Sequence, residues 1–299
     1  MTYNVEGLPW PARWNRDASV AIIARNLAAL RSVGRQPHVV ALQEAFTDQA
    51  KRIGVQAGYR YVAIGPSRDD AGSPARAARD RSFARNASLL KGERSGRLLD
   101  SGLVIVSDYP ILAVRSLPFP AFACAGFDCL ANKGMVMALI RVPGYSEPVA
   151  IVDVHFNSRH ASGVAPARSD YAFMRQVDAM ASFLRVNAPL KLPLIVAGDF
   201  NVGKASDRQL YIQRQARTWA QGRPDTFKEM VQGFAGELNR SRLPNPVDVA
   251  SLAHEKDLQF AVSGGLMSLH ATAAAIPFGW EQSHETLSDH IGYITYYAP

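Results

Sequence analysis

The 299-residue sequence predicts an α/β protein in which two packed sheets carry helices on their outer faces. Apolar runs of strand length recur along the whole chain, and two longer segments, residues 17–33 and 169–186, place apolar side chains at helical spacing. The sequence shows no internal repeat and no linker-like stretch, so we assign residues 1–299 to a single domain.

The first half of the chain alternates strands with helices. Residues 2–5 are typical of the end of a strand, and the helix over 17–33 stops before Gly34. A buried strand is predicted over 37–44, a short helix near 47–57 and a strand over 59–64. Residues 66–100 are polar and basic, and an excursion of that length is typically functional or mobile. A strand over 102–107 follows and ends at a turn over 108–110.

The second half is richer in strands. Residues 135–142 and 149–154 predict two strands joined by a Pro-Gly turn. The amphipathic helix over 169–186 leads into a buried strand over 192–197. Strands over 259–262 and 291–297 close the chain.

Composition and charge narrow the class of protein. The sequence is 47% apolar and 20% charged, and its apolar runs stay short of the roughly 20 residues of a membrane helix. A net charge of +7 favours nucleic acid, anionic lipid or another phosphate-bearing partner. A soluble basic protein without such a partner remains equally compatible with the charge alone.

The two cysteines, Cys124 and Cys129, are five positions apart, and Gly126 and Asp128 favour a turn between them. A disulfide is sterically allowed, and two free thiols are the alternative. A zinc site is disfavoured because no second Cys or His pair is nearby. A disulfide would indicate an oxidising compartment. The strand end at residues 2–5 lacks a beginning, so we expect the natural chain to start earlier, with an export signal removed and a secreted or periplasmic location.

Polar residues follow or precede several predicted strands. Asp199 and Asn201 come after the strand over 192–197, and Asp289 and His290 precede the last strand. Residues two apart on a strand face the same side, so Asp199 and Asn201 are expected to face one cleft. Turn chemistry is the alternative for each motif alone. Together, a carboxylate, an amide and an imidazole at strand ends are what metal-assisted attack of water on phosphate requires.

Two further strand ends add to this set. Glu44 is the natural first ligand of a hard cation such as Mg²⁺, with Asn4 as its neighbour. His155 and Asn157 alternate onto one side of a strand end, where a histidine can donate to a phosphate oxygen. Taken singly, Glu44 is more typical of a solvated strand end and His155 of a structural histidine.

Five short motifs carry a family resemblance, in order, from residue 4 to residue 290: Tyr-Asn-Val-Glu-Gly-Leu-Pro, Leu-Gln-Glu, Asp-Val-His-Phe-Asn, Gly-Asp-Phe-Asn and Ser-Asp-His. They resemble the motifs of the endonuclease/exonuclease/phosphatase superfamily. The resemblance implies a four-layer α/β/β/α sandwich of two packed mixed sheets flanked by helices. It also implies phosphate-ester hydrolysis with Mg²⁺, for which Mn²⁺ or another divalent ion is an alternative.

The resemblance also assigns roles to individual residues. His290 is implied as the general base that activates water, and Asp257 as the carboxylate that orients it. Asp199 positions the water or helps to deprotonate it. In relatives, Tyr usually follows the position of Asp257, whereas this chain has Leu258-Gln259.

The remaining roles concern the metal and the phosphoryl group. Glu44 is implied to bind Mg²⁺ with Asn4 beside it, and Asn201 and His155 to hold phosphoryl oxygens. Asp289 supports the metal side or the neighbouring histidine. Asn157 matches a less uniform position of the family, and we assign it to substrate binding. The family pattern Thr-His-Leu is replaced here by Val-His-Phe.

The substrate depends on local features outside this set. The segment from Cys124 to Gly134, with its Asn-Lys-Gly, resembles bacterial neutral sphingomyelinases and favours a sphingomyelinase-like, phospholipase C-type phosphodiesterase. Lys133 is expected to reach a phosphate, although a solvated turn lysine is as consistent with the sequence. Phe278 and Trp280 could enter a bilayer interface, but packing over the sheet edge is the favoured alternative.

Other functions stay open from the sequence. A DNase-like endonuclease fits the net charge and the basic residues 66–100, and Arg159 suits a lipid or a nucleic-acid pocket. An inositol or small-molecule phosphatase is a further alternative. A non-catalytic binding protein would be expected to have lost part of the catalytic set, which is complete here. We expect the protein to be a monomer.

Overall fold

The computed structural model describes residues 1–188, 191–203, 205–219, 256–265, 268–278 and 287–298. Within them lie two mixed sheets. The six-stranded sheet has the order β10-β11-β1-β2-β4-β3. Its strands are β1 (Thr2–Asn4), β2 (Val39–Gln43), β3 (Tyr61–Ile64), β4 (Val104–Ser107), β10 (His270–Phe278) and β11 (Gly292–Ala298). In this sheet β1 and β2 are parallel neighbours, and the other described neighbours are antiparallel.

The second sheet has five strands in the order β5-β6-β7-β8-β9, with β7 and β8 parallel and the other neighbours antiparallel. Its strands are β5 (Ile111–Pro118), β6 (Gly134–Ile140), β7 (Val149–His155), β8 (Leu194–Asp199) and β9 (Asp257–Val262). The helices are α1 (Arg16–Ser32), α2 (Asp48–Lys51), α3 (Ile53–Gln56), α4 (Ala78–Arg85), α5 (Pro166–Asn187) and α6 (Ser206–Trp219), with a short 3-10 helix at Gly126–Leu130.

Three separate apolar cores among the described residues confirm the predicted four-layer α/β/β/α sandwich. One core packs α1 and α3 onto the six-stranded sheet, with Ile23 and Leu27 against Leu42. A second packs α5 and α6 onto the five-stranded sheet. The third fills the space between the sheets, where Ile105 and Ile151 lie. The outer face of each sheet is thus packed against helices, as expected for a layered α/β fold.

The predicted elements are present, within a few residues of their expected bounds. Five further elements among the described residues were not predicted: α4, β5, α6, β10 and the 3-10 helix at Gly126–Leu130. Both β5 and β10 are edge strands, and most residues of β5 are exposed. In the described residues, no helix is both long and apolar enough to span a membrane.

The disulfide between Cys124 and Cys129 is present, with an S–S distance of 2.05 Å. The guanidinium of Arg97, from the basic excursion, donates to the Cys124 Sγ at 3.2 Å and to the carbonyl of Cys129. It also donates to the carbonyl of Ala121, at 3.2 Å. Part of the excursion therefore packs onto the disulfide segment instead of extending into solvent.

Candidate metal and phosphate site

The ends of both sheets converge on one cluster of polar side chains. Parallel β7 and β8 end together, so that their register pairs His155 with Asp199. Antiparallel β9 starts at Asp257, directly opposite Asp199. In the other sheet Asn4 pairs with Gln43, and Glu44 follows immediately. Strand register therefore brings together side chains that are far apart in sequence.

Asp199 lies at the centre of the cluster and is 1% exposed. Its Oδ2 is 3.2 Å from the Asn4 Nδ2, 3.5 Å from the His155 Nε2 and 3.7 Å from the His290 Nε2. The preceding residue must be glycine, because Gly198 has φ 142° and a Cβ there would clash with the carbonyl oxygen of Val154. Gly198 thus allows β8 to approach β7 closely, and Asp199 places the carboxylate in the cluster.

His290 and Asp257 form a buried pair. The His290 Nδ1 is 2.5 Å from the Asp257 Oδ2, and its Nε2 faces Asp199. Burial opposes charge on the imidazole, but Asp257 and Asp199 outweigh it and raise the pKa of His290 above its usual value. Ser288 donates through Oγ to the Asn4 carbonyl at 2.7 Å and so anchors the segment before the last strand. The imidazole is therefore oriented from one side and open to the cluster on the other.

The carboxylates of Glu44 and Asp199 fit a divalent cation. Glu44 adopts φ 55°, which turns its side chain back toward the cluster, and candidate ligand atoms of Glu44, His155 and Asp199 all lie within 4.8 Å of one another. Burial raises the pKa of Glu44, which means that the surrounding protein does not fully offset the loss of water around its negative charge. Hard cations prefer such carboxylate oxygens. A cation there would also counter the carboxylate charge that raises the pKa of His290.

Asn4 bridges the two carboxylates. Its Nδ2 donates to the Glu44 Oε1 at 3.0 Å and to Asp199, while its Oδ1 accepts from the backbone N–H of Glu6 at 3.0 Å. In this arrangement Asn4 holds Glu44 and Asp199 together and directs an N–H, not an oxygen, at them. Its role as a metal ligand stays a prediction.

Lys133 and His155 form the opposite wall of the cluster. The Lys133 Nζ is 2.9 Å from the His155 Nε2, 3.0 Å from the Asp128 Oδ1 and 3.0 Å from the carbonyl of Phe156. Burial, followed by the Lys133 charge, lowers the pKa of His155 well below its usual value. The imidazole is therefore neutral, and its Nε2 accepts from Lys133. The predicted donation from His155 to a phosphate stays a prediction, and the structure places the Lys133 ammonium beside it as a donor.

Asn201 does not follow the alternation expected from the strand. β8 ends at Asp199, and Asn201 has φ 48°. Its backbone N–H donates to the Asp199 Oδ1 at 2.8 Å, and its Nδ2 donates to the carbonyl of Phe156 at 2.9 Å. Asn201 thus lies next to the cluster and fixes Asp199, while its contact with a phosphoryl oxygen stays a prediction.

Three other predicted site residues lie at the margin. The Asn157 side chain accepts from Ala125 N–H and donates to the Ser158 carbonyl, both at 2.8 Å, and is fully buried. The Arg159 guanidinium lies 3.3 Å from carboxylate oxygens of Asp170 and Asp207. The Asp289 carboxylate is half exposed and 3.8 Å from the His290 Nε2. The substrate-binding roles of Asn157 and Arg159 stay predictions, and neither side chain contacts the cluster.

Sequence reasoning missed Glu6 and Arg16. The Glu6 carboxylate accepts from the backbone N–H of Asp289 at 3.3 Å. The Arg16 guanidinium donates to the carbonyls of Glu6, Val5 and Leu287, at 2.7, 3.0 and 2.5 Å. These contacts tie the end of β1 to the Ser-Asp-His segment. The signal was available for Glu6, which stands inside the first motif two positions after Asn4.

Phe278 is 1% exposed and stacks on Tyr3 at 5.0 Å between ring centroids. Entry of Phe278 into a bilayer is therefore wrong, and the alternative, packing against the sheet, is correct for this residue. Trp280 lies outside the described residues.

A model of the Endonuclease/Exonuclease/phosphatase family matches residues 1–290. Among curated protein sequences, none matches the chain. Similar solved structures include a mutant of the Staphylococcus aureus beta toxin with bound magnesium ions, at 16% identity and a TM-score of 0.62, covering 99% of this chain and 93% of that one. Sphingomyelinase C from Streptomyces griseocarneus has 21% identity and a TM-score of 0.60, covering 98% and 97%. TDP2 of D. rerio, complexed with single strand DNA product, has 15% identity and a TM-score of 0.55, covering 100% and 97%. At these identities the structures establish the shared fold alone.

Proposed function

Since this chain belongs to the endonuclease/exonuclease/phosphatase family and is therefore a phosphoester hydrolase, we propose that it is a Mg²⁺-dependent phosphodiesterase that cleaves the head group of a membrane lipid. The observation that carries the hydrolytic part is the buried His290–Asp257 pair, in which the imidazole Nε2 lies 3.7 Å from the Asp199 carboxylate. A base, an orienting carboxylate and a cation site within one cluster are what attack of water on a phosphodiester needs.

The residues of the chain divide the work as follows. His290 accepts the proton of the attacking water at Nε2, while Asp257 holds Nδ1 and fixes the tautomer. Asp199 stands 3.7 Å from that Nε2 and accepts a hydrogen bond that orients the water. Glu44 and Asp199 would hold a divalent ion, which would supply positive charge against the phosphoryl oxygens.

Lys133 adds a fixed positive charge on the other side. Its ammonium is 7% exposed and already lies against the imidazole of His155. A buried ammonium in this position stabilises the additional negative charge that develops on the phosphoryl group in the transition state. The Asn201 side chain, whose residue also donates its backbone N–H to Asp199, is proposed to supply a further donor contact.

The choice of a lipid substrate rests on the segment that carries Lys133. The motif from Cys124 to Gly134 resembles bacterial sphingomyelinases in sequence, and a similar solved structure is named as a sphingomyelinase. The disulfide in this segment favours a secreted or periplasmic protein, where such a bond persists. We expect the protein to act as a monomer.

A nuclease is the second candidate, favoured by the net charge of +7 and by the likeness to a DNA-bound fold relative. The basic excursion over residues 66–100 also supports it in part. Arg97 is turned into the disulfide segment. Exposed arginines that could meet a DNA backbone remain in the excursion: Arg68, Arg76, Arg79, Arg81, Arg85 and Arg94.

The experiment supplies both substrates to the same protein. We would incubate it with Mg²⁺ and sphingomyelin–phosphatidylserine liposomes, and in parallel with plasmid DNA, with EDTA and His290→Ala as negative controls. Val186→Ala, which alters a side chain 83% exposed near the end of α5, is the matched control. We expect phosphocholine release that both negative controls abolish. DNA nicking without phosphocholine release would instead assign a nuclease, and equal background from wild type and His290→Ala would reject hydrolysis at this site.

A further inference from the structure

Two tryptophans project from the loop between β1 and α1, here called the Trp loop (residues 7–15). Trp10 is 67% exposed and Trp14 is 74% exposed. Their rings touch edge to face, with centroids 6.0 Å apart and planes at 81°. Large aromatic side chains dominate the energetics of interfaces, and two of them adjacent in solvent form an apolar patch that marks a contact surface.

The Trp loop is joined directly to the catalytic cluster. It begins three residues after Asn4, which bridges Glu44 and Asp199. Arg13, inside the loop, pairs with the Glu6 carboxylate, and the N–H of Glu6 donates to the Asn4 side chain. A surface that contacts Trp10 and Trp14 therefore lies beside the residues that hold the cluster.

The charge of the loop favours lipid over nucleic acid. Arg13 forms an ion pair with Glu6. Arg16, at the start of α1, donates to the backbone carbonyls of Glu6 and Val5. A polyanion needs unpaired cations, and this loop presents none beyond that pair among the described residues.

We propose that the Trp loop docks on a zwitterionic lipid surface, such as one of phosphocholine head groups, and so holds the catalytic cluster against a membrane-borne phosphodiester. Tryptophan is favoured at the level of lipid head groups because its ring is apolar and its N–H is polar. The loop carries an apolar patch with its cation paired, which matches a surface without net charge. This docking role rests on the proposed function but is separable from it.

Binding is measured first, without catalysis. Phosphatidylcholine vesicles in EDTA are sedimented with wild type, with Trp10→Ala/Trp14→Ala and with Val186→Ala/Leu210→Ala. The control pair removes side chains that are 83% and 60% exposed on α5 and α6. We expect the Trp variant to bind at least about tenfold more weakly, from the aromatic area withdrawn from water, and the control to bind as wild type does. Thermal melts check that each variant is folded.

Turnover then separates docking from chemistry. We expect the Trp variant to lose sphingomyelin turnover in vesicles by at least about tenfold more than it loses turnover of a water-soluble phosphodiester. Tryptophan quenching by brominated phosphatidylcholine repeats the binding test on wild type and needs no substitution. Vesicle binding that is equal in wild type and the folded Trp variant, or quenching that is absent, overturns the docking role.

The two proposals fail in different ways. Loss of vesicle binding in the Trp variant, with no sphingomyelin hydrolysis by wild type, keeps the docking surface and rejects the lipid substrate. Sphingomyelin hydrolysis by wild type with vesicle binding unaffected by the substitutions does the reverse. If the substitutions weaken binding to plasmid DNA and leave vesicle binding intact, the Trp loop contacts nucleic acid and the lipid surface is rejected.

Discussion

Replacing Asp257 by Asn separates the orientation of His290 from its presence. The Asp257 carboxylate is 1% exposed, and its Oδ2 accepts from the His290 Nδ1 at 2.5 Å. Asparagine keeps the shape of the side chain, but its Nδ2 donates where the carboxylate accepted. That donation favours the tautomer with the proton on Nε2, so that His290 can no longer accept a proton from water.

The size of the effect follows from two losses. A hydrogen bond to a charged group contributes about 1.5–3 kcal/mol, and the wrong tautomer must be converted before each proton transfer. We expect kcat to fall by roughly 10³-fold, which corresponds to about 4 kcal/mol in the barrier. The assay is Mg²⁺-dependent turnover of a water-soluble phosphodiester at saturating substrate, so that membrane contact does not enter.

Two comparisons make the test decisive. Asp80→Asn changes another buried carboxylate, one that accepts from the hydroxyl of Tyr171 at 2.6 Å away from the cluster, and should leave turnover unchanged. In a His290→Ala background, Asp257→Asn should lower turnover little further, because the Asp257 carboxylate acts through the imidazole of His290. A folded Asp257→Asn enzyme within about tenfold of wild type, or a full loss in the His290→Ala background, would refute the assigned role.

Three other substitutions test the metal, the disulfide and an acid-sensitive contact. Glu44→Gln should raise the Mg²⁺ concentration for half-maximal turnover at least about tenfold by removing a carboxylate ligand, and an unchanged titration would take Glu44 out of the site. Cys124→Ser/Cys129→Ser should lower the free energy of unfolding by about 2 kcal/mol, as expected for so short a loop, and a denaturant titration without that loss would contradict it. Burial alone would raise the pKa of Glu93, but hydrogen bonds from Arg168, Ser88 and Gly126 lower it below its ordinary value of 4.5. The stabilisation from Glu93 is therefore present above that value and lost as the pH falls through the lowered pKa. Glu93→Gln should melt below wild type at pH 7 and converge with it in acid, and a gap that stays constant with pH would exclude this linkage.

The elements that could be predicted were those in which the spacing of apolar residues along the sequence matches the spacing of buried residues in the structure. β2, β7 and β8 are buried on both faces and read as apolar runs, and α1 and α5 each bury one regular stripe. β5 and β10 escaped prediction because edge strands need less apolar sequence, and the Ala-rich start of β10 suits a helix as well. α6 is predominantly polar, and its few apolar residues, such as Ile212, are visible as a core face only once α5 is beside it.

The site shows the same division. Asp199, His290 and Asp257 were identifiable because short motifs name them, and strand register then brings them together. The protonation state and the hydrogen-bond partners of each side chain could not be predicted from one sequence. That His155 is neutral beside Lys133 depends on a contact across 22 residues. That Asn201 turns away from the strand period depends on where β8 ends.

The hydrogen bond from Ser288 to the carbonyl of Asn4 spans 284 residues, and β1 is enclosed between β2 and β11. Contacts of such long separation are slow to form, because the closure of the intervening chain must come first. The cluster is therefore among the last parts of the molecule to be assembled, and a nascent chain that has not yet delivered His290 lacks the proposed base altogether. Hydrolytic activity would thus report that the chain has folded through His290, and refolding experiments that follow turnover should lag behind those that follow secondary structure.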